Sequence, residues 1–140
     1  MTTPINSYSL NRTNNHMQRV FLSFAAASGF LSVCLGAFAA HGLKHRIASE
    51  SLVIWQTGVQ YQMYHAFALL GIGLLYHFRT SKSLKLSGLA FILGSFLFSG
   101  SLYALAFGAL PIVGVITPIG GLSFLIGWAA LFVHAQHNLV

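Results

Sequence analysis

The sequence predicts an all-α membrane protein, a polytopic chain with four transmembrane helices gathered into one bundle. Three observations lead there. Only 6% of the 140 residues are charged, against about a quarter in ordinary soluble domains; 56% are hydrophobic; and the apolar residues fall into runs of membrane-crossing length divided by short segments that hold the charges. So few charges cannot cover a water-facing surface. The chain length suits a single domain, here with hydrocarbon as its solvent.

Met1 to Gln18 is rich in Asn, Ser and Thr and lacks periodicity, so residues 1–18 read as a mobile tail and residues 19–140 as the transmembrane domain. Val20 to Ala40 carries no charge. At about 1.5 Å per residue it is long enough to cross roughly 30 Å of hydrocarbon, which makes it the first span. Ala37-Phe38-Ala39 before Ala40, with Arg12 and Arg19 upstream, also has the form of a signal-peptide end. The apolar run is too long for a signal core, and a stripe of Ser28, Ser32, Gly36 and Ala40 at every fourth position marks a retained, packed helix.

His41 to Ser51 is a polar connection with Lys44, Arg46 and Glu50. The second span, Leu52 to Tyr76, opens with polar residues and only later becomes uniformly apolar. A full crossing is the preferred reading, because Tyr64 to Tyr76 alone is too short to span; the other reading lays its first turns along the interface. His77 to Leu86 holds Arg79, Lys82 and Lys85, and Ser87 to Phe107 is the third span, with its own stripe of Ser95, Ser99 and Tyr103. Gly108 to Thr117 has no charge. Thr117 then reads as an N-cap and Pro118 as the first helical residue of a fourth span ending near Val133. The expected spans are thus about 20–40, 52–76, 87–107 and 118–133.

With four spans, the tail and second loop share a side and hold Arg12, Arg19, Arg79, Lys82 and Lys85, while Lys44 and Arg46 lie on the other. That excess places both termini in the cytoplasm. A pI near 10 would suggest nucleic acid in a soluble protein, but here the cations flank apolar runs, so anionic lipid heads are the expected partners and nucleic acid is not. Cys34 has no second thiol to pair with and reads as a small apolar residue.

An enzyme is not expected. Glu50 is the only acidic residue, which leaves no carboxylate pair and no Ser-His-Asp set, and no His, Cys and carboxylate grouping has metal-ligand spacing. His77 and His134, near helix ends, make a haem-ligand pair conceivable, but nothing else supports a haem pocket, so no cofactor is expected. The chemistry that stands out is Tyr61, Gln62 and His65, spaced three and four apart on the second span, with His65 near the midplane. An intramembrane ionisable residue is a functional candidate; equally, Gln and His often serve as interhelical hydrogen-bond glue.

Four segments carry a family resemblance. They are Gly36-Ala37-Phe38-Ala39-Ala40-His41-Gly42-Leu43; Trp55-x-Thr57-Gly58-x-x-Tyr61-Gln62-x-x-His65; Ser99-Gly100-Ser101-Leu102-Tyr103; and Thr117-Pro118-Ile119-Gly120-Gly121 through Gly127-Trp128. In this order they resemble domain-of-unknown-function family 423, small uncharacterised bacterial inner-membrane proteins, from Arg19 to about Val133. Ala39 stands where the family usually has Gly. The resemblance implies a four-span inner-membrane protein without an established activity, and its motif positions point to His41, Tyr61, Gln62, His65, Tyr103 and Thr117 as a candidate polar pocket opening outward. Two functions fit: a small bundle, alone or as a homo-oligomer, that binds a lipid or small solute in that pocket, or an accessory or structural subunit whose polar residues hold helices together beside a membrane-protein partner.

Overall fold

A computed structural model describes the chain from Ser7 to Asn138, and its side chains from Asn15 to His137. Every regular element among the described residues is helical, and they line up as four rods. The first is α1, Ser7–Phe38, which runs on into a π-helical turn, Ala39–Leu43. The second is α2, Ser49–Phe78. The third joins α3, Lys82–Gly94, through a π-helical segment, Ser95–Ser99, to α4, Gly100–Ala106. The fourth is a 3₁₀ turn, Pro111–Val115, leading into α5, Ile116–Asn138.

Local chemistry sets most of the ends. Extended backbone at Ala48 opens α2, and Glu50 in its first turn complements the positive end of the helix dipole. Ser81 caps α3 by accepting the Leu84 N–H at 3.0 Å. Gly108 at φ 82° closes α4, with its N–H on Leu105 O and the Ala109 N–H on Ala104 O, the paired bonds of a Schellman turn that only glycine enters without strain.

These ends differ from the expected ones in three places. Helix α1 begins at Ser7, inside the stretch expected to be an irregular tail; no Gly or Pro interrupts Ser7 to Arg19, so the apolar helix propagates backward at one hydrogen bond per residue, while residues 1–6 lie outside the described residues. The third rod starts at Lys82 instead of Ser87, because the Ser81 cap precedes it. Thr117 does not cap α5: the 3₁₀ turn that Pro111 opens flows into the helix at Ile116, leaving Thr117 within the first turn.

Three rods are long and apolar enough to cross a membrane, over Asn15–Leu43, Lys82–Ala106 and Pro111–His137. Four were expected. The difference lies in α2, long enough but diluted by the polar residues of its first half. The outer surface is otherwise that of a protein in lipid, with Phe30, Phe67, Leu125 and Phe132 each about two-thirds exposed or more.

Helix α1 packs along α2, and α3 along α5; α2 also meets the third rod, while α1 and α3 scarcely touch. Phe21, Leu69, Ile72, Leu84, Phe91 and Phe124 fill the core toward the α2–α3 loop. Ala39, Leu43, Trp55 and Ala106 fill a smaller one at the other end. Close approach relies on missing side chains. A Cβ on Gly120 would collide with the Phe98 backbone and one on Gly94 or Gly127 with a facing ring. Of the α1 stripe, Ser28 and Ser32 are buried, but Ala40 is exposed and Ala39 and Leu43 are buried instead. Helical periodicity explains this, since at about 100° per residue Ala39 lies about 20° from Ser28 around the helix and Ala40 about 120° from it.

Candidate functional site

Gln62, near the middle of α2, ties three rods together. Its Nε2 donates to Ser28 O on α1 at 3.1 Å, and its Oε1 accepts the Tyr103 hydroxyl of α4 at 2.7 Å. Gly58, one turn earlier, makes room: a Cβ there would stand 2.8 Å from the Tyr103 ring. Trp55 lies against the same ring, 4.6 Å between centroids, and anchors itself through Nε1 to Leu35 O at 3.0 Å. Tyr103 is thereby fixed between an amide and an indole.

His65 belongs to a separate cluster. Its Nδ1 lies 2.7 Å from Tyr61 O, and its Nε2 lies 3.2 Å from Trp128 Nε1 on α5. An indole N–H only donates and a carbonyl only accepts, so both bonds together require the neutral imidazole with its proton on Nδ1. The ring stacks on Phe124 at 3.4 Å between centroids. Tyr61 leans on Phe98 at 4.6 Å and is partly exposed.

The six expected pocket residues therefore do not share one pocket. Gln62 pairs with Tyr103, and Tyr61 with His65. Thr117 Oγ1 pairs with Ser101 Oγ at 2.7 Å, and His41 stands exposed on the π turn. The reason is angular. At about 100° per residue, Tyr61 and His65 lie some 40° apart while Gln62 stands about 100° from Tyr61 at the other edge of the face, and the two edges meet different neighbours. Ser99, of the third-span stripe, is buried with no hydrogen-bond partner for its hydroxyl among the described residues. His77 is exposed and His134 is buried against Ser81. No three His, Cys, Asp or Glu side chains gather as a metal site among the described residues.

What the rods do enclose is an open cleft between α1 and the third rod, with α2 behind it. It measures about 470 Å³ and is lined mainly by Phe24, Leu31, Phe96 and Gly100, with Ser28, Gln62 and Tyr103 as its polar edge. Ser28 is 4% exposed and its hydroxyl has no hydrogen-bond partner among the described residues. The hydroxyls of Ser32, Thr57 and Ser95 each bond the carbonyl one turn back, whereas those of Ser28 and Ser99 have no partner among the described residues, and of these two Ser28 lines the cleft. A buried polar atom without a partner calls for an explanation. The sequence marked Ser28 only as a packing residue, and Trp128 only as part of a motif; their partners come from other rods, which spacing along one chain does not reveal.

The chain matches, over residues 35–121, a family described as protein of unknown function, DUF423. The chain belongs to the DUF423 family. Similar relatives span nearly the same length. A UPF0382 membrane protein of Haemophilus influenzae is 49% identical, covering 82% of this chain and 92% of that protein. The UPF0382 inner membrane protein YgdD of Escherichia coli is 44% identical over 84% and 89%, and the UPF0382 membrane protein YwdK of Bacillus subtilis 42% over 86% and 99%. No solved structure matches. This DUF423 chain is accordingly an integral, multi-pass membrane protein of an uncharacterised family. The matched stretch contains His41, Tyr61, Gln62, His65, Tyr103 and Thr117; Ser28 and Trp128 fall outside it.

Proposed function

We propose that this DUF423 protein crosses the inner membrane four times and binds the apolar chain of a neutral lipid in the cleft between α1 and the third rod. The carrying observation is the buried Ser28 hydroxyl, unpartnered at the edge of a cavity whose size suits a ligand. Ser28 lies about 20 Å from either end of the Asn15–Leu43 segment at 1.5 Å per residue. In a hydrocarbon layer roughly 30 Å thick, that is near mid-depth, beyond reach of a phospholipid headgroup. The favoured ligand thus carries a carbonyl or hydroxyl oxygen within its hydrocarbon. No Lys, Arg, Asp or Glu lines the cleft, which suits a neutral molecule.

A fourth crossing by α2 is supported by where its side chains go. Gln62 and His65 are buried against other rods, while Val53, Phe67, Leu74 and Phe78 face outward. Hydrocarbon can solvate that outer face, and the polar groups have protein partners. Arg79 in the α2–α3 loop, with Lys82 and Lys85 at the start of α3, supports a cytoplasmic position for that loop and for both termini. The role is one of binding without catalysis, since Glu50, the only carboxylate side chain, is exposed in the first turn of α2.

The test uses Gly100, where an added side chain meets nothing within 4 Å and would project into the cleft. Native purification and mass spectrometry of co-purifying lipids should find a neutral lipid on the parent protein, reduced severalfold in Gly100→Phe and in Ser28→Ala. An identical lipid complement on all three would remove the binding role. It would leave the second reading, an accessory subunit, which is favoured by the bonds of Gln62 and His65 to neighbouring rods.

A further inference from the structure

A groove separate from the cleft runs between α2 and α5. It measures about 520 Å³, within the roughly 300–1,000 Å³ of small-molecule sites. Its walls are the rings of Tyr61, Phe98, Phe124 and Trp128, and the buried His65 imidazole forms its floor, stacked 3.4 Å from Phe124. No Lys, Arg, Asp or Glu lines it.

The depth of these rings is unusual. Tyr61 adjoins Gln62, which bonds the carbonyl of Ser28 near the middle of α1, and Trp128 lies about 6 Å from the middle of the Pro111–His137 segment at 1.5 Å per residue. Tyr and Trp normally collect at the membrane interfaces, where their polar ends reach water; at mid-depth that water is about 15 Å away. Trp128 resolves this within the chain by donating to His65 Nε2 at 3.2 Å, while His65 Nδ1 is turned to Tyr61 O. Tyr61 does not. Its ring rests on Phe98, and its hydroxyl takes part in no side-chain hydrogen bond among the described residues. The Tyr61 hydroxyl is thus the one side-chain donor that the groove leaves for a ligand.

We propose that this groove binds the carbonyl-bearing ring of a membrane quinone. A ring carbonyl accepts the Tyr61 hydroxyl, which an ordinary acyl chain would leave unpaired in hydrocarbon. Two carbonyls also withdraw electrons from the quinone ring, so its face is drawn to the electron-rich faces of Tyr61 and Trp128. The molecule is neutral, as the uncharged lining requires, and its apolar tail stays in the surrounding hydrocarbon. The groove shares no lining residue with the cleft and is independent of what the cleft holds.

The test uses the full-length protein in nanodiscs and a decyl-substituted benzoquinone as the probe, since quinones quench tryptophan emission. The chain has two tryptophans, so Trp55→Phe leaves Trp128 as the only reporter. Quenching should saturate with added quinone. Tyr61→Phe, which removes a hydroxyl the fold does not use, should weaken the apparent affinity about fivefold, the order of one hydrogen bond. Gly121→Leu should abolish the saturable part by filling the groove, since a Cβ there meets the Phe98 ring only at ordinary contact distance. If Trp55→Phe fails to fold, the same titrations on the parent chain read the same saturable component. A strictly linear rise in quenching, or equal affinity in Tyr61→Phe and Gly121→Leu, would overturn the site. Decylbenzene, which has the flat ring and the tail but no carbonyl, should displace the quinone poorly; equal displacement would overturn the quinone assignment.

Discussion

At the scale of single residues, Gln62 and Tyr103 act as one unit. Replacing Tyr103 by Phe leaves Gln62 Oε1 buried without its 2.7 Å donor, which should lower stability by about 1 kcal/mol, typical of interhelical hydrogen bonds in membranes. Adding Gln62→Leu removes the stranded acceptor, so the double variant should lose less than the two single losses added. Equilibrium unfolding in mixed micelles measures all three, and strict additivity would show that the pair is not coupled. His65→Phe preserves a ring against Phe124 but strands the Trp128 N–H, with an expected loss of about 0.6 kcal/mol. The sequence made Gln62 and His65 conspicuous because polar groups in an apolar run need partners. It did not reveal the partners: Ser28 contributes a backbone carbonyl, which no residue type announces.

At the scale of elements, the contact between the third rod and α5 depends on Gly120. A Cβ there would land on the backbone nitrogen of Phe98 and within 2.8 Å of its Cα. Backbone cannot rotate aside, so Gly120→Ala should cost about 1–3 kcal/mol. Gly100→Ala meets open space and should be neutral or stabilising by up to about 1 kcal/mol. Thermal unfolding of the two variants checks the contrast, and equal effects would contradict the packing. Apolar run length made the positions of the rods legible, but not their ends. The Ser81 cap, the Gly108 turn and the π turns at Ala39–Leu43 and Ser95–Ser99 are decided by local geometry, and a π turn leaves no composition signal. Ala40 falls outside the stripe it seemed to complete because a strict four-residue spacing drifts around a helix of 3.6 residues per turn.

At the scale of the molecule, the four-span reading turns on the passage of α2. With Cys34 replaced by Ala to remove the natural thiol, Ser49→Cys should react with an impermeant reagent from the periplasm and Thr80→Cys should not; both sites are exposed. The reverse pattern would invert the orientation, and labelling of both from one side would show that α2 does not cross. Low charge and long apolar runs were enough to read the protein as membrane-embedded. The outward pocket was misread for a geometric reason: residues adjacent in sequence on α2 diverge around the helix, and the rods on either side take different members.

The uneven polarity of α2 also bears on how the chain is made. A segment that carries Gln62 and His65 partitions poorly into lipid alone, yet α1 leaves the ribosome just before it and offers the Ser28 carbonyl for Gln62 and a backbone carbonyl at Leu35 for Trp55. The pair can therefore enter the bilayer as a preassembled hairpin, and insertion of α2 should depend on α1. In a translation assay of a chain ending in the α2–α3 loop, exchanging α1 for a polyleucine span should sharply reduce the fraction of α2 inserted; undiminished insertion would mean that α2 enters the bilayer unaided.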